Sequence, residues 1–210
     1  MKRIINIAIL LVIAIAAFGQ SGVASAGGGQ AFQFRGQNAV ANFSSVDESG
    51  CIRTDVYLWG SEDVFSSEPG QPIPSSEAYV LISRYDTCND DQLLLADGVA
   101  GLSGENFQVG RGLDSATLHT PVTVFDSESG NWFEVVLDIT WTANSPLTRV
   151  NDHILSHTPS CLINERRHGE LRFADASGTV SDGWTNYTPY SAYFATINSL
   201  KSGATVIGCE

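Results

Sequence analysis

The chain has 210 residues, 43% of them hydrophobic, with 23 acidic against 11 basic side chains and a net charge of −12. A field of that sign repels nucleic acid and anionic lipid headgroups, which excludes nucleic-acid binding as the expected activity. The length supports one self-sufficient core and excludes a string of domains.

The chain begins as an export signal. Met1-Lys2-Arg3 supplies the positive n-region, Ile4 to Phe18 is apolar except at Asn6, and Ala24-Ser25-Ala26 places small residues where a signal peptidase reads them. Cleavage after Ala26 is expected, because the apolar run is shorter than the roughly 20 residues that span a bilayer. The expected mature domain is residues 27–210, secreted to the periplasm or the extracellular space, with no membrane insertion. The leader contains two of the 11 cations and none of the acids, so the mature chain holds nine cations against 23 acids, a net of −14.

The remaining elements alternate rather than repeat at helical spacing. Ile52, Thr54, Val56 and Leu58 oppose Arg53, Asp55, Tyr57 and Trp59. Shorter strands are expected at Ala78 to Tyr85, Leu93 to Ala96 and Val122 to Phe125. The clearest run is Trp132 to Trp141, where Phe133, Val135, Leu137, Ile139 and Trp141 share a face. Leu171 to Ala174, Tyr190 to Ile197 and Ala204 to Ile207 follow. Clusters such as Ser127-Glu128-Ser129-Gly130 between them have turn chemistry. Many short strands without crossover helices predict an all-β fold, an antiparallel β-sandwich of jelly-roll-like form or one built from two pseudo-repeated β-motifs.

The repeat is suggested by Phe32-Gln33, Arg35-Gly36 and Ala39, which echo Phe107-Gln108, Arg111-Gly112 and Ala116. Each set leads to an acidic turn and a strand ending in Trp59 or Trp141. On that reading the second copy carries an irregular polar insertion over about 144–168. Four cysteines in an exported chain predict two disulfides. Of the three possible connectivities, Cys51–Cys88 with Cys161–Cys209 is favoured, because both pairs close moderate loops worth about 3 to 4 kcal/mol each in the loop-entropy model.

Three sets of residues are candidates for chemistry. Asp152, His153, His157 and His168 lie in the insertion and have the donor types of a zinc site, although no HExxH stands among them. Asp86, Asn89, Asp90 and Asp91 crowd oxygen ligands of the kind calcium takes, without the EF-hand order. No Gly-x-Ser-x-Gly elbow is present. No cofactor is therefore predicted, with zinc or calcium at these two places the alternatives.

The third set is aromatic. Trp184, Tyr187 and Tyr190 sit in a turn-rich stretch, and Tyr57 and Trp59 lie opposite the apolar face of their strand. Together these features predict a secreted, non-catalytic binding domain for carbohydrate or another cell-envelope ligand, with the loop near Trp184 as its expected contact. One alternative is a secreted hydrolase or metal-dependent enzyme using the histidine region. Another is a structural or adhesive surface protein.

Overall fold

The computed structural model describes residues 30–67, 70–158, 161–187 and 192–207, so the export signal lies outside the described residues. Among them are ten strands: β1 (Gln30–Val46), β2 (Ile52–Ser67), β3 (Ile73–Asp86), β4 (Asp91–Gly101), β5 (Phe107–Val109), β6 (Ser115–Asp126), β7 (Trp132–Ala143), β8 (Thr148–Thr158), β9 (Cys161–Ser181) and β10 (Phe194–Ile207). A single 3-10 turn, Arg111–Leu113, is the one helical element among the described residues.

All pairings are antiparallel, and they join the strands into one sheet. The order β10-β1-β2-β3-β4-β6-β7-β9 closes on itself because β9 also pairs β10, from Thr196 opposite Phe173 to Ile207 opposite Leu162. The all-β expectation holds, but the two-sheet sandwich is replaced by a closed eight-stranded ring. Closure removes free sheet edges, and it depends on pairing the two ends of the described chain, which no local pattern reveals. Its narrowest seam is β4 against β6, only Ala96–Asp126 and Asp97–Phe125. There Gly98 is required, since a methyl group on it would overlap the Thr123 carbonyl.

Inside the ring the alternation read from sequence becomes the core. Ala39, Ala41 and Phe43 of β1 face Val56 and Leu58 of β2, Val80 and Ile82 of β3, and Val135, Leu137, Ile139 and Trp141 of β7, all at 0–1% exposure. The Trp141 indole is satisfied by donating Nε1–H to the Val40 carbonyl at 2.9 Å. Phe107 packs on Gly60, where a side chain would collide with its ring, and with Leu113 closes one end of the ring.

Beyond that end the sheet continues without closing. Residues 148–158 of β8, 161–171 of β9, 198–207 of β10, 30–38 of β1, 61–67 of β2 and 73–77 of β3 pair in that order. Apart from Ser61, where β2 leaves the ring, none of these residues whose burial is described is fully buried. The stretch expected to be an irregular insertion is thus a regular hairpin and part of this open extension. Its sequence hid the strands because both faces are solvated and neither needs an apolar stripe. Phe194–Ile197 and Ala204–Ile207 likewise belong to the single strand β10, and Tyr190, where the earlier of these two strands was expected to begin, lies outside the described residues.

The internal repeat is not reproduced. Arg35-Gly36 sits mid-strand, whereas Arg111-Gly112 forms the 3-10 turn with Gly112 at φ 74°. Trp59 faces outward and Trp141 inward. What the two regions share is turn chemistry. Asp47 accepts from the Ile52 N–H and the Ser49 hydroxyl, and Asp126 accepts from the Glu128 and Ser129 N–H groups. The Cys51–Cys88 disulfide is present, with Cα atoms 5.2 Å apart. Cys209, the expected partner of Cys161, lies outside the described residues.

Candidate binding site

The outward face of β2 and β3 carries the most organised aromatic group. Strand period two turns Tyr57 and Trp59 away from the core while Val56 and Leu58 enter it. Register then sets Trp59 directly opposite Tyr79, with Val40 and Val99 extending the same row on the flanking strands. The Trp59 and Tyr79 rings stack with centroids 6.1 Å apart and planes 23° apart, and Tyr57 meets Tyr79 edge-on at 6.1 Å. The next row holds Asn42, Tyr57, Leu81 and Asp97, so an amide and a carboxylate flank the rings.

Burial raises the pKa of the Tyr57 hydroxyl, and burial followed by the charge of Asp97 does the same for Tyr79. Both phenols therefore stay protonated and able to donate. Tyr79 was not singled out by sequence. Its signal was an aromatic at the outward position of a neighbouring strand, legible only once register was known.

The Trp184 loop is divided. Trp184 is 96% exposed, while Tyr187 is 7% exposed and donates its hydroxyl to Asp182 Oδ2 at 2.8 Å. Burial and that hydrogen bond push the Tyr187 phenol up to about 12. Burial pulls Asp182 upward, but hydrogen bonds from the Thr185 and Trp184 N–H groups and from Tyr187 outweigh it, leaving the carboxyl below its ordinary value. Tyr187 is thus a loop anchor and not a contact residue, and Tyr190 lies outside the described residues.

The histidines occupy one face of the β8–β9 hairpin but do not converge. His153 Nε2 contacts Asn164 Oδ1 at 2.8 Å, and His168 Nδ1 contacts Asn151 Oδ1 at 2.5 Å. His157 stands further along, opposite Leu162, and Asp152, being adjacent to His153 in a strand, projects from the other face. At the β3–β4 turn the Asp86 carboxylate is occupied by the Cys88 and Asn89 N–H groups and the Asn89 amide. These bonds, the Asn89 side chain first, lower its pKa. Asp90 accepts from the Tyr85 hydroxyl. No group of three or more His, Cys, Asp or Glu among the described residues is placed to hold a metal ion.

No family model and no curated protein matches the chain. Among solved structures it is similar to an acetoacetate decarboxylase-like enzyme from Sphingomonas wittichii RW1. The identity is 10%, over 85% of this chain and 91% of that one, with a TM-score of 0.24. A likeness that distant carries no argument about fold or chemistry.

Proposed function

We propose that this protein is an exported, non-catalytic binding domain whose outer aromatic platform receives a neutral carbohydrate of the cell envelope or its surroundings. The observation that carries the reading is the Trp59–Tyr79 stack, two coplanar-leaning rings held on rigid neighbouring strands with Tyr57 beside them. Sugar rings present axial C–H groups that pack on such faces, while protonated phenols, Asn42 and Asp97 suit the hydroxyls around the ring. Strand-borne side chains are already ordered, so little entropy is lost on binding.

The test is a glycan array followed by titration of intrinsic tryptophan fluorescence with the neutral oligosaccharides that score. Binding should weaken at least about tenfold, or about 1.4 kcal/mol, in Trp59→Ala and in Tyr79→Ala. Trp184→Ala should bind within about twofold of the parent, a change of about 0.4 kcal/mol. An array without a neutral hit, or hits that survive loss of both platform rings, would remove the proposal.

A structural or adhesive role is the second reading, favoured by Phe173 and Phe194, which contact edge-on at 6.3 Å while 51% and 42% exposed on the same outer surface. Patches of this kind mark protein contacts. Sedimentation across a concentration series would reveal self-association, and Phe173→Ser with Phe194→Ser should abolish it.

A further inference from the structure

The open extension carries a second, chemically different surface on the face opposite the aromatic platform. In β1 the inward residues of the ring are Ala39 and Ala41, so the same parity continues through Arg35 and Gln33. In β10 the series Ile197, Ser199, Lys201 continues likewise, and in β9 Ala174 leads back through Arg172 to His168 and Arg166. Register sets these positions abreast. Arg35 lies opposite Lys201, Lys201 opposite His168, and His168 opposite Asn151; one rung further, Arg166 lies opposite His153. Neighbouring strands are about 4.8 Å apart, so the first row spans roughly 10 Å from Arg35 to His168. These side chains line a groove of about 950 Å³, with Val64, Ser66 and Pro72 along one wall.

Directly opposed like charges in a sheet cost stability. In a chain where acids outnumber bases 23 to 11, a carboxylate would be the expected neighbour for each cation. Nearby cations do have one. Arg149 Nε is 2.9 Å from Glu170, and Arg167 meets Glu165 at 2.6 Å on the reverse face. Arg35, Arg166 and Lys201 have no carboxylate within 4 Å among the described residues, and all three are exposed. The acids that share their face are Glu62, one rung nearer the ring, and Glu170, already engaged by Arg149 and 3.7 Å from His168; Asp152 also borders the groove, where its Oδ1 accepts from the His153 N–H at 2.8 Å.

We infer that this groove is a binding site for a short acidic saccharide, its carboxylates held by Arg35, Lys201 and Arg166. Guanidinium forks match carboxylate geometry, and Asn151, Gln33 and Ser66 supply neutral hydrogen-bonding groups for hydroxyls. The short length follows from charge: three cations within about 12 Å attract one or two sugar acids, whereas a long polyanion meets the negative remainder of the surface. This site is independent of the platform, which occupies the other face.

Calorimetric titration of the purified protein with an oligogalacturonate trimer, in low salt, tests the assignment. The trimer should bind, with affinity falling as salt rises. Binding should fall at least tenfold in the double variant Arg35→Gln/Lys201→Gln and stay unchanged in Trp59→Ala. The double variant should also melt no lower than the parent, because it relieves an opposed pair of like charges. Absence of trimer binding overturns the inference, as does binding that the double variant leaves intact. Equal binding of a neutral maltotriose overturns it too, and inorganic phosphate or sulfate binding as tightly as the trimer would reduce the groove to a general anion site.

Discussion

The closed ring and the open extension share β1, β2, β3, β9 and β10, yet they obey different physics. In the ring, one face of each strand is turned from water, so the inward residues of β2, β3, β6 and β7 are mostly apolar and buried, with Thr120 and Asp126 of β6 polar, and closure leaves few unpaired backbone groups. In the extension, the same β1, β2, β9 and β10 run on with continuous pairing but with both faces wet. There charged, amide and hydroxyl side chains mix with partly exposed apolar ones such as the stacked pair Phe32 and Phe65. Stability comes from the first region, and the second supplies exposed, ordered positions that a ligand can use.

The largest expected contrast is in truncation. Trp141→Ala opens a cavity in the ring and loses the bond to Val40, and should cost about 3 to 5 kcal/mol by urea denaturation. Leu200→Ala in the extension should cost no more than about 1 kcal/mol. Equal losses would break the distinction. Hydrogen exchange should follow suit, with β7 amides opening only through global unfolding and β8 amides exchanging by local opening.

The Cys51–Cys88 bond comes next. It closes a loop with a sequence separation of 37 at the ring end away from the extension. Loss of the loop constraint in Cys51→Ala/Cys88→Ala should lower stability by about 3 to 4 kcal/mol in the chain-entropy model. Exchange in the β8–β9 hairpin should be affected less than exchange in β2 and β3.

A smaller effect marks the boundary between the regions. Burial, partly opposed by the Ser61 hydroxyl and assisted by Glu77 and Glu62, raises the Asp63 pKa to about 6 from 3.8. The folded state then holds more protons than the unfolded state between those values, so this group makes stability fall as pH rises from about 4 to about 6. Asp63→Asn should remove that slope and melt higher than the parent at pH 7.5. A melting profile that keeps its slope in the variant would show that Asp63 is not its source. Smallest of all, Arg149→Ala breaks an exposed ion pair with Glu170 and should change stability by only about 0.5 kcal/mol.

Much of the ring was legible in advance because its strands alternate. Val135, Leu137, Ile139 and Trp141 were readable as one face, and Val56 and Leu58 as another, since burial on one side forces apolar residues to period two. The hairpin of β8 and β9 was not legible. Thr148–Thr158 has polar residues on both faces, which reads as loop. The candidate sites divide in the same way. Tyr57 and Trp59 were readable as one face of their strand, but burial of the opposite face by Val56 and Leu58 decided that they point outward, and Tyr79 joined them only through register. Arg35 and Lys201 are 166 positions apart in the chain, and nothing in either neighbourhood announces the other.

The amino-acid sequence by itself determined that the protein is rich in antiparallel strands, which residues of β2 and β7 share a face, and where the acidic turns fall. These are local properties, set by side-chain period and turn chemistry. Tertiary structure alone decided that β10 returns to β1 and β9 to close the ring, that Tyr187 is buried while Trp184 is not, and that three unpaired cations share one groove. Each of those is a contact between distant segments, fixed by strand register, and register is selected by the packing of the whole sheet.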